Sequence, residues 1–385
     1  MRGHIRRRGN GAYAVIIDLG RNADGKRRQK WHNVRGTKKD AEAELVKQLN
    51  ALQTGSYVEP TRITVGQFLR RWLDDFAKSK VAAKTFERYD EIVRLHLSPN
   101  IGHIRLARLH PLQIQELYSK MLKEGRKDGH GGLSARTVLH HHRVLREALQ
   151  QAVRSLLLSR NPADAVQPPR SEREEVGTLD SKQASQLLAL AKGTRLYLPI
   201  LIALATGARR GEILALRWKD VDLPSGSATI LQSLEQTKSG TRFKSPKTKR
   251  SARSIQLPAF AVVALKQHKA EQAAQRLKVG EAYQDLGLVV ARPDGLPWNP
   301  GSFTANFVAF AKRHGFEGLT YHHLRHTHAT LLLGLNVHPK IVSERLGHSH
   351  IGLTMDTYSH VMPNMQREAA EMIDAVLAGE GIVKP

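Results

Sequence analysis

Leu346-Gly347-His348, followed ten residues after its histidine by Tyr358 in Asp356-Thr357-Tyr358-Ser359-His360, is the stretch on which the reading of this chain turns. A lone tyrosine before Ser-His is ordinarily a packing residue. Here two further boxes stand upstream, Thr320-Tyr321-His322-His323-Leu324-Arg325-His326-Thr327 and Thr206-Gly207-Ala208-Arg209-Arg210-Gly211-Glu212. Together they offer a phenol, two arginines (Arg209 and Arg325) and two histidines (His322 and His348), and Lys247 between the boxes adds an ammonium. Such a set suits breaking a phosphodiester bond with a protein nucleophile and no metal. A phenol, whose ordinary pKa is ~10, serves as nucleophile and leaving group only when its proton is managed. Two guanidiniums can clamp the non-bridging phosphate oxygens and hold the charge of a pentacoordinate transition state.

Each box has a local rationale. Gly207 and Gly211 allow a tight bend that presents Arg209, and Glu212 at i+3 can orient it, although an ordinary helix-capping Arg-Glu pair would look the same. His322 and Arg325 are three residues apart, so a helix puts them on one face, and histidine suits proton transfer near neutral pH. His322 and His326 have the four-residue spacing of zinc proteases, but His323 stands where those enzymes need a glutamate. Thr229 to Gln232 and Arg253 to Leu257 carry β-like residues and bracket a basic stretch. From Lys238 to Arg253 there are seven Lys or Arg and no acid. Alone, that stretch reads as a loop touching phosphates, with Lys244, Lys249 and Arg250 as contacts.

Composition narrows the class. The 385 residues predict two or three domains, and 41% hydrophobic with 25% charged residues is ordinary globular composition. A net charge of +25 is not ordinary; it marks a binder of nucleic acid or of an anionic membrane. No stretch approaches the ~18 apolar residues of a membrane span. The longest, Leu196 to Ala205, contains Pro199 and reads as a buried helix, and Tyr13 to Ile17 is too short for a signal sequence. Nucleic acid is the stronger branch. The absence of cysteine excludes disulfides, thiolate zinc sites and cysteine nucleophiles, and fits a cytosolic location.

Before the boxes lie two segments. In the first, Tyr13 to Leu19 and Lys26 to His32 read as strands about a turn at Arg21–Gly25, and Thr37-Lys38-Lys39-Asp40 opens a helix with Leu45, Leu49 and Leu52 at helical spacing. Nine of its first thirty residues are basic, which suits a sheet laid into a DNA groove; Arg6, Arg7, Arg8, Lys26, Arg27, Arg28 and Lys30 are the candidate contacts. The second, from about Thr61 to Val166, reads as helical. Thr64 with Gln67 caps one helix, Thr85 to Leu97 makes another stopped by Pro99 and Gly102, Pro111 starts a third and Ser134 a long fourth. His140-His141-His142 point three ways on a helix, which argues against a metal site. Gln167-Pro168-Pro169 and the charges after it read as a linker.

The order, spacing and flanking residues of the boxes resemble the tyrosine recombinases, the phage-integrase family, strongly from about Thr178 to Met362 and moderately before that. The resemblance implies an α+β, multidomain fold: an arm-type DNA-binding domain over 1–58, a helical core-site-binding domain over 61–167, a linker at 168–177, and a catalytic domain over 178–385 with a C-terminal docking helix. It implies that Tyr358 attacks the scissile phosphate, leaving a 3′-phosphotyrosyl link and a free 5′-hydroxyl. Arg209, Arg325 and His348 would stabilise the transition state and His322 would assist proton transfer. Lys247 would protonate the leaving oxygen, with Lys249 still open for that role. No cofactor or metal is implied. The partners implied are double-stranded attachment-site DNA, three further copies forming a homotetramer, a DNA-bending protein and an excisionase-type directionality factor, in a bacterial cytoplasm, with no membrane. Many members carry an acid where His323 stands. Type IB topoisomerases share the chemistry but place a lysine where His322 stands. The competing functions are such a topoisomerase, a dimer-resolving recombinase, and a DNA-binding regulator with a decayed site. Every reactive position is filled, which argues against decay.

Overall fold

The aromatic and β-branched residues of Tyr13–Ile17 favour an extended strand, and Ala14 to Ile17 are all buried, as in the middle of a sheet. In the computed structural model, Gly3–Gly9 (β1), Ala12–Arg21 (β2) and Arg27–Arg35 (β3) form an antiparallel sheet with β2 central. The structure describes residues 3–21, 24–53, 62–171, 177–245 and 252–358, with 370, 371, 373–375 and 377 near the C-terminus. Lys38–Gln53 (α1) opens with a reciprocal Thr37–Asp40 cap and contributes Ala41, Leu45, Leu49 and Leu52 to a small core with Val15 and Ile17. Register puts Arg6, Ala14 and Asn33 side by side on the opposite face, next to a row of His4, Ile16 and Trp31. Arg8 lies over the Trp31 ring at 5.2 Å.

The chain divides into two compact units, Met1–Glu172 and Arg173–Pro385. In the first, the helices Val65–Trp72 (α2), Ala83–Ile92 (α3), Pro111–Glu124 (α4) and Ala135–Arg154 (α5) enclose a core that includes Phe68, Leu69, Trp72, Tyr118 and Leu145. Their starts are where local chemistry predicts: the Thr64–Gln67 capping box, Pro111 in a first turn, and the Ser134 hydroxyl accepting from the Thr137 N–H. Pro99 differs from expectation. A wide turn at Val93–Leu97 extends α3 and resets the hydrogen-bond ladder, so Pro99 falls in the first turn of Ser98–Ile101, where no N–H is needed. The histidine run has local roles: His141 Nδ1 is 2.6 Å from the Thr137 carbonyl, and His142 Nδ1 is 3.0 Å from the Tyr118 hydroxyl.

The second unit is built on Tyr197–Thr206 (α7), the apolar run around Pro199, nearly all of it buried. Around it pack Ser181–Ala191 (α6), Ala259–Val279 (α9) and Tyr321–Gly334 (α11), with Pro300–Arg313 (α10) against α11. Tyr321 anchors α11 by donating to the Pro199 carbonyl at 2.6 Å, its ring edge-on to Phe303 and Phe307. After Arg210–Ile213 (α8), the strands Val221–Asp222 (β4), Ser227–Ile230 (β5) and Arg253–Gln256 (β8) make one antiparallel sheet. Between β5 and β8, Ser233–Thr237 (β6) and Gly240–Lys244 (β7) form a hairpin of their own, which takes in the first part of the basic stretch. Pro339–Leu346 (α12) and Gly352–Tyr358 (α13) complete it. The α+β class expected from the sequence holds. Of the expected C-terminal docking helix, Ile373 and Leu377 are helical and exposed, while Ala369, Met372 and Val376 lie outside the described residues. No helix among the described residues is long and apolar enough to cross a membrane.

Candidate active site

The site starts where α7 stops. Gly207 takes a left-handed φ of +65°, and a Cβ there would sit 2.6 Å from His328 Cδ2 and 2.6 Å from Leu346 Cδ2, so only glycine fits the turn. The chain then reverses into α8 with Arg209 at its N-cap. The Arg209 N–H donates to Glu212 Oε2 at 2.9 Å and its Nη1 to Oε1 at 2.9 Å, the orientation that the i+3 spacing allows. From β8, Arg253 comes to the same carboxylate, with Nη2 at 2.8 Å from Oε2, while its Nε donates to the Arg345 carbonyl at 2.6 Å. The Arg253 and Glu212 side chains are only 7% and 8% exposed, so this is a buried ion pair. Burial pushes the Glu212 carboxyl up, but the hydrogen bond and charge of Arg253 and the Arg209 N–H outweigh it, and the net shift is downward.

Arg325, buried in α11, ties the three boxes together. Its Nη1 donates to the Gly207 carbonyl at 2.7 Å and its Nη2 to the Leu346 carbonyl at 2.8 Å, two residues before Arg209 and two before His348. Burial, and then the neighbouring Arg209 charge, pull its pKa down to about 9, leaving it cationic at neutral pH. Gly347, left-handed at φ +65°, ends α12, and a Cβ on it would lie 2.9 Å from Arg253 Nη1. The Leu-Gly-His box therefore needs its glycine for the arginine network to close. His348 Nδ1 is 2.8 Å from the buried Thr354 hydroxyl, which sets its ring. Arg345 reaches back to the Ala205 carbonyl at 3.0 Å.

Tyr358 ends α13 with its ring packed among Ala329, Leu333, Val342 and Leu346. Burial raises its phenol to about 12, and the Arg325 charge pulls against that rise. Its hydroxyl lies 2.6 Å from His326 Nδ1. His322, one turn earlier on α11, is exposed and sits edge-on to the His326 ring at 4.7 Å. Burial and then the charges around it hold His326 down at about 4, and burial does the same to His348.

The structure thus brings Arg209, His322, Arg325, His348 and Tyr358 into one unit. Lys247, Lys249 and Arg250 lie outside the described residues. Lys244 is on β7, ion-paired with Glu235 at 3.3 Å. On the N-terminal sheet Arg6 and Arg8 belong to the open face, Arg7 is in register with Tyr13 on the α1 side, and Arg27 pairs with Asp18. Lys26, Arg28 and Lys30 lie at the start of β3 and just before it. Sequence reasoning missed Arg253, which pairs across 41 residues and leaves no local signal, and it read His326 only as a rejected zinc ligand.

Residues 177–365 match the profile of the phage integrase family, and residues 64–122 match that of the phage integrase N-terminal SAM-like domain. The chain is 28% identical over 381 residues to a tyrosine recombinase XerC-like protein of Caldanaerobacter subterraneus subsp. tengcongensis, covering 94% of this chain and 95% of that one. To the ICEBs1 integrase of Bacillus subtilis (strain 168) it is 25% identical, covering 96% and 98%. Its fold is similar to that of the Tn1549 transposon integrase in complex with transposon right end DNA (TM-score 0.69, 21% identity, 81% and 100% covered). It is also similar to that of lambda integrase, solved as a tetramer bound to a Holliday junction (TM-score 0.54, 19% identity, 90% and 95% covered). The chain belongs to the phage integrase family: it is a tyrosine site-specific recombinase, an integrase of the kind carried by mobile elements.

The buried imidazoles predict a pH dependence of stability. His141, His326, His328 and His348 all titrate at about 4 in the folded chain, against 6.5 ordinarily. Between those values the unfolded chain binds protons that the folded chain does not, so stability falls as pH drops from 6.5 towards 4. Melting temperature across that range should decline steeply, and His328→Gln should cut the slope by about one proton. A flat profile in the unaltered protein would contradict the burial argument.

Proposed function

We propose that the chain integrates and excises its element by cutting and rejoining DNA through a 3′-phosphotyrosyl link. The observation that carries this reading is the convergence of the Tyr358 phenol with the Arg325 guanidinium that spans the Gly207 and Leu346 carbonyls. In this reading Arg209 and Arg325 hold the phosphate oxygens and His348 donates a hydrogen bond to them. His322, exposed beside them, assists proton transfer. Lys247 protonates the 5′-oxygen as it leaves, Lys249 being the alternative. The covalent link keeps the free energy of the broken bond, so rejoining needs no nucleotide, and the arginines supply the positive charge a metal would otherwise provide.

Residues 61–167 would grip the core site and the N-terminal sheet the arm sites, with Arg6, Arg8 and Asn33 on the open face and the other basic residues on phosphates. Four copies would exchange strands in pairs, helped by a DNA-bending protein and an excisionase-type factor in a bacterial cytoplasm. The exposed Ile373 and Leu377 would dock on the neighbouring copy, as a heterologous contact that closes into a ring.

Incubating the protein with nicked duplexes carrying the ends of its element should give a covalent protein–DNA band on denaturing gels, undiminished by EDTA. Tyr358→Phe should abolish the band and leave DNA binding within about twofold, because only the oxygen is lost. An adduct from the Phe variant would refute the assignment of the nucleophile. Deleting residues 1–55 should spare cleavage of a core site but lower recombination of full attachment sites and flatten the salt dependence of binding. Undiminished recombination of full sites would remove the arm-domain reading.

A further inference from the structure

We propose that His326, rather than His322, is the catalytic residue that takes the phenolic proton of Tyr358 as its oxygen attacks phosphorus. The inference rests on the transesterification proposed above and names the proton acceptor in it. In the forward step the Tyr358 Oη–P bond forms and the P–O5′ bond breaks. The phenolic proton passes to His326 Nδ1, while the departing O5′ takes a proton from the lysine assigned as acid. In rejoining, the 5′-hydroxyl attacks, the phenolate leaves, and His326 hands the same proton back.

Geometry carries the assignment. Among the described residues His326 is the hydrogen-bond partner of the Tyr358 hydroxyl, at 2.6 Å from Nδ1, within the reach a general base requires. His326 directly follows Arg325 on α11, so the element that fixes one phosphate clamp also fixes the acceptor. His322 is exposed, and its ring meets that of His326 edge-on rather than the phenol. Among the described residues the phenol's hydrogen bond goes to His326 and not to His322.

Electrostatics agree. The titratable and charged groups around the His326 ring are Tyr358, His322, His323, Arg325 and His348. Burial first, then His322, Arg325, His323 and His348, keep the ring neutral and a weak base in the resting enzyme. A phosphodiester entering beside Arg325 brings negative charge to this cluster and favours the imidazolium at the moment the phenol must lose its proton. The same hydrogen bond could instead act as a latch, because Tyr358 is only 2% exposed. The two roles give opposite results on mutation.

The test uses the full-length protein and a nicked duplex on which the unaltered protein forms its adduct, so failure of the broader reading shows first, as no adduct at all. Under single-turnover conditions His326→Ala should slow adduct formation by about 100-fold or more, with DNA affinity within about threefold. His326→Gln, which keeps a polar group at the position, should be similarly slow and covers the case in which alanine impairs folding. Replacing Tyr358 by a difluorinated tyrosine, whose more acidic phenol needs less help, should recover at least about tenfold of the loss in the His326 variants and none in Arg325→Ala. Cleavage within about threefold of the unaltered protein, or a loss indifferent to fluorination, would overturn the proposal. Cleavage faster than that of the unaltered protein would make the bond a latch and overturn it equally.

Discussion

The Glu212 carboxylate sits almost out of water between two guanidiniums, Arg209 on its own turn and Arg253 from the neighbouring sheet. Neither arginine would be as well placed without it. Arg209 is fixed through both its backbone N–H and its side chain, so its remaining donors project in a set direction. Arg253, held by the same carboxylate, uses Nε to grip the last turn of α12 and so sets where Gly347 and His348 begin. A buried carboxylate is tolerated only when paired, and removing one partner of such a pair typically costs about 3–5 kcal/mol. Sequence elements more than forty residues apart are therefore locked into one arrangement by a single anion.

Around that anion the site is overcharged. Arg209, Arg253 and Arg325 lie close enough for the first two to depress the ionisation of Arg325, which Glu212 only partly offsets. The histidines beside them are neutral for the same reasons of burial and like charge. In the function proposed above, the folded protein accepts this repulsion in exchange for a pocket already arranged for a phosphate. On that reading a bound phosphate would relieve the repulsion and need little rearrangement of the donors, the condition under which fixed dipoles and charges stabilise a transition state best. Catalytic capacity and stability pull in opposite directions here.

What could be read from the sequence follows the range of the interaction. Thr37–Asp40, Thr64–Gln67, Pro111 and Ser134 act on neighbours within a turn, and each was legible. The same holds for Arg209 with Glu212, three residues apart, and for the bend that needs Gly207. Pro99 misled because a wide turn shifted the ladder by one residue, which no composition signal reveals. Arg253 was hidden among six other basic residues, and only the pairing of β5 with β8 brings it to Glu212. His326 was visible as a residue but not as a partner of Tyr358, since that contact depends on α13 packing against α11 through Val342 and Leu346.

The central claim, that Arg253 and Glu212 act as one unit in shaping the cleavage site, is tested most directly by a double-mutant cycle on single-turnover cleavage of a nicked site. Glu212→Gln and Arg253→Gln are made singly and together, with folding checked by thermal melts. Coupled residues leave the double variant no slower than the worse single one by more than about threefold, an interaction of about 1 kcal/mol or more. If the two losses multiply, the residues act independently, and the buried carboxylate is not what holds the site in place.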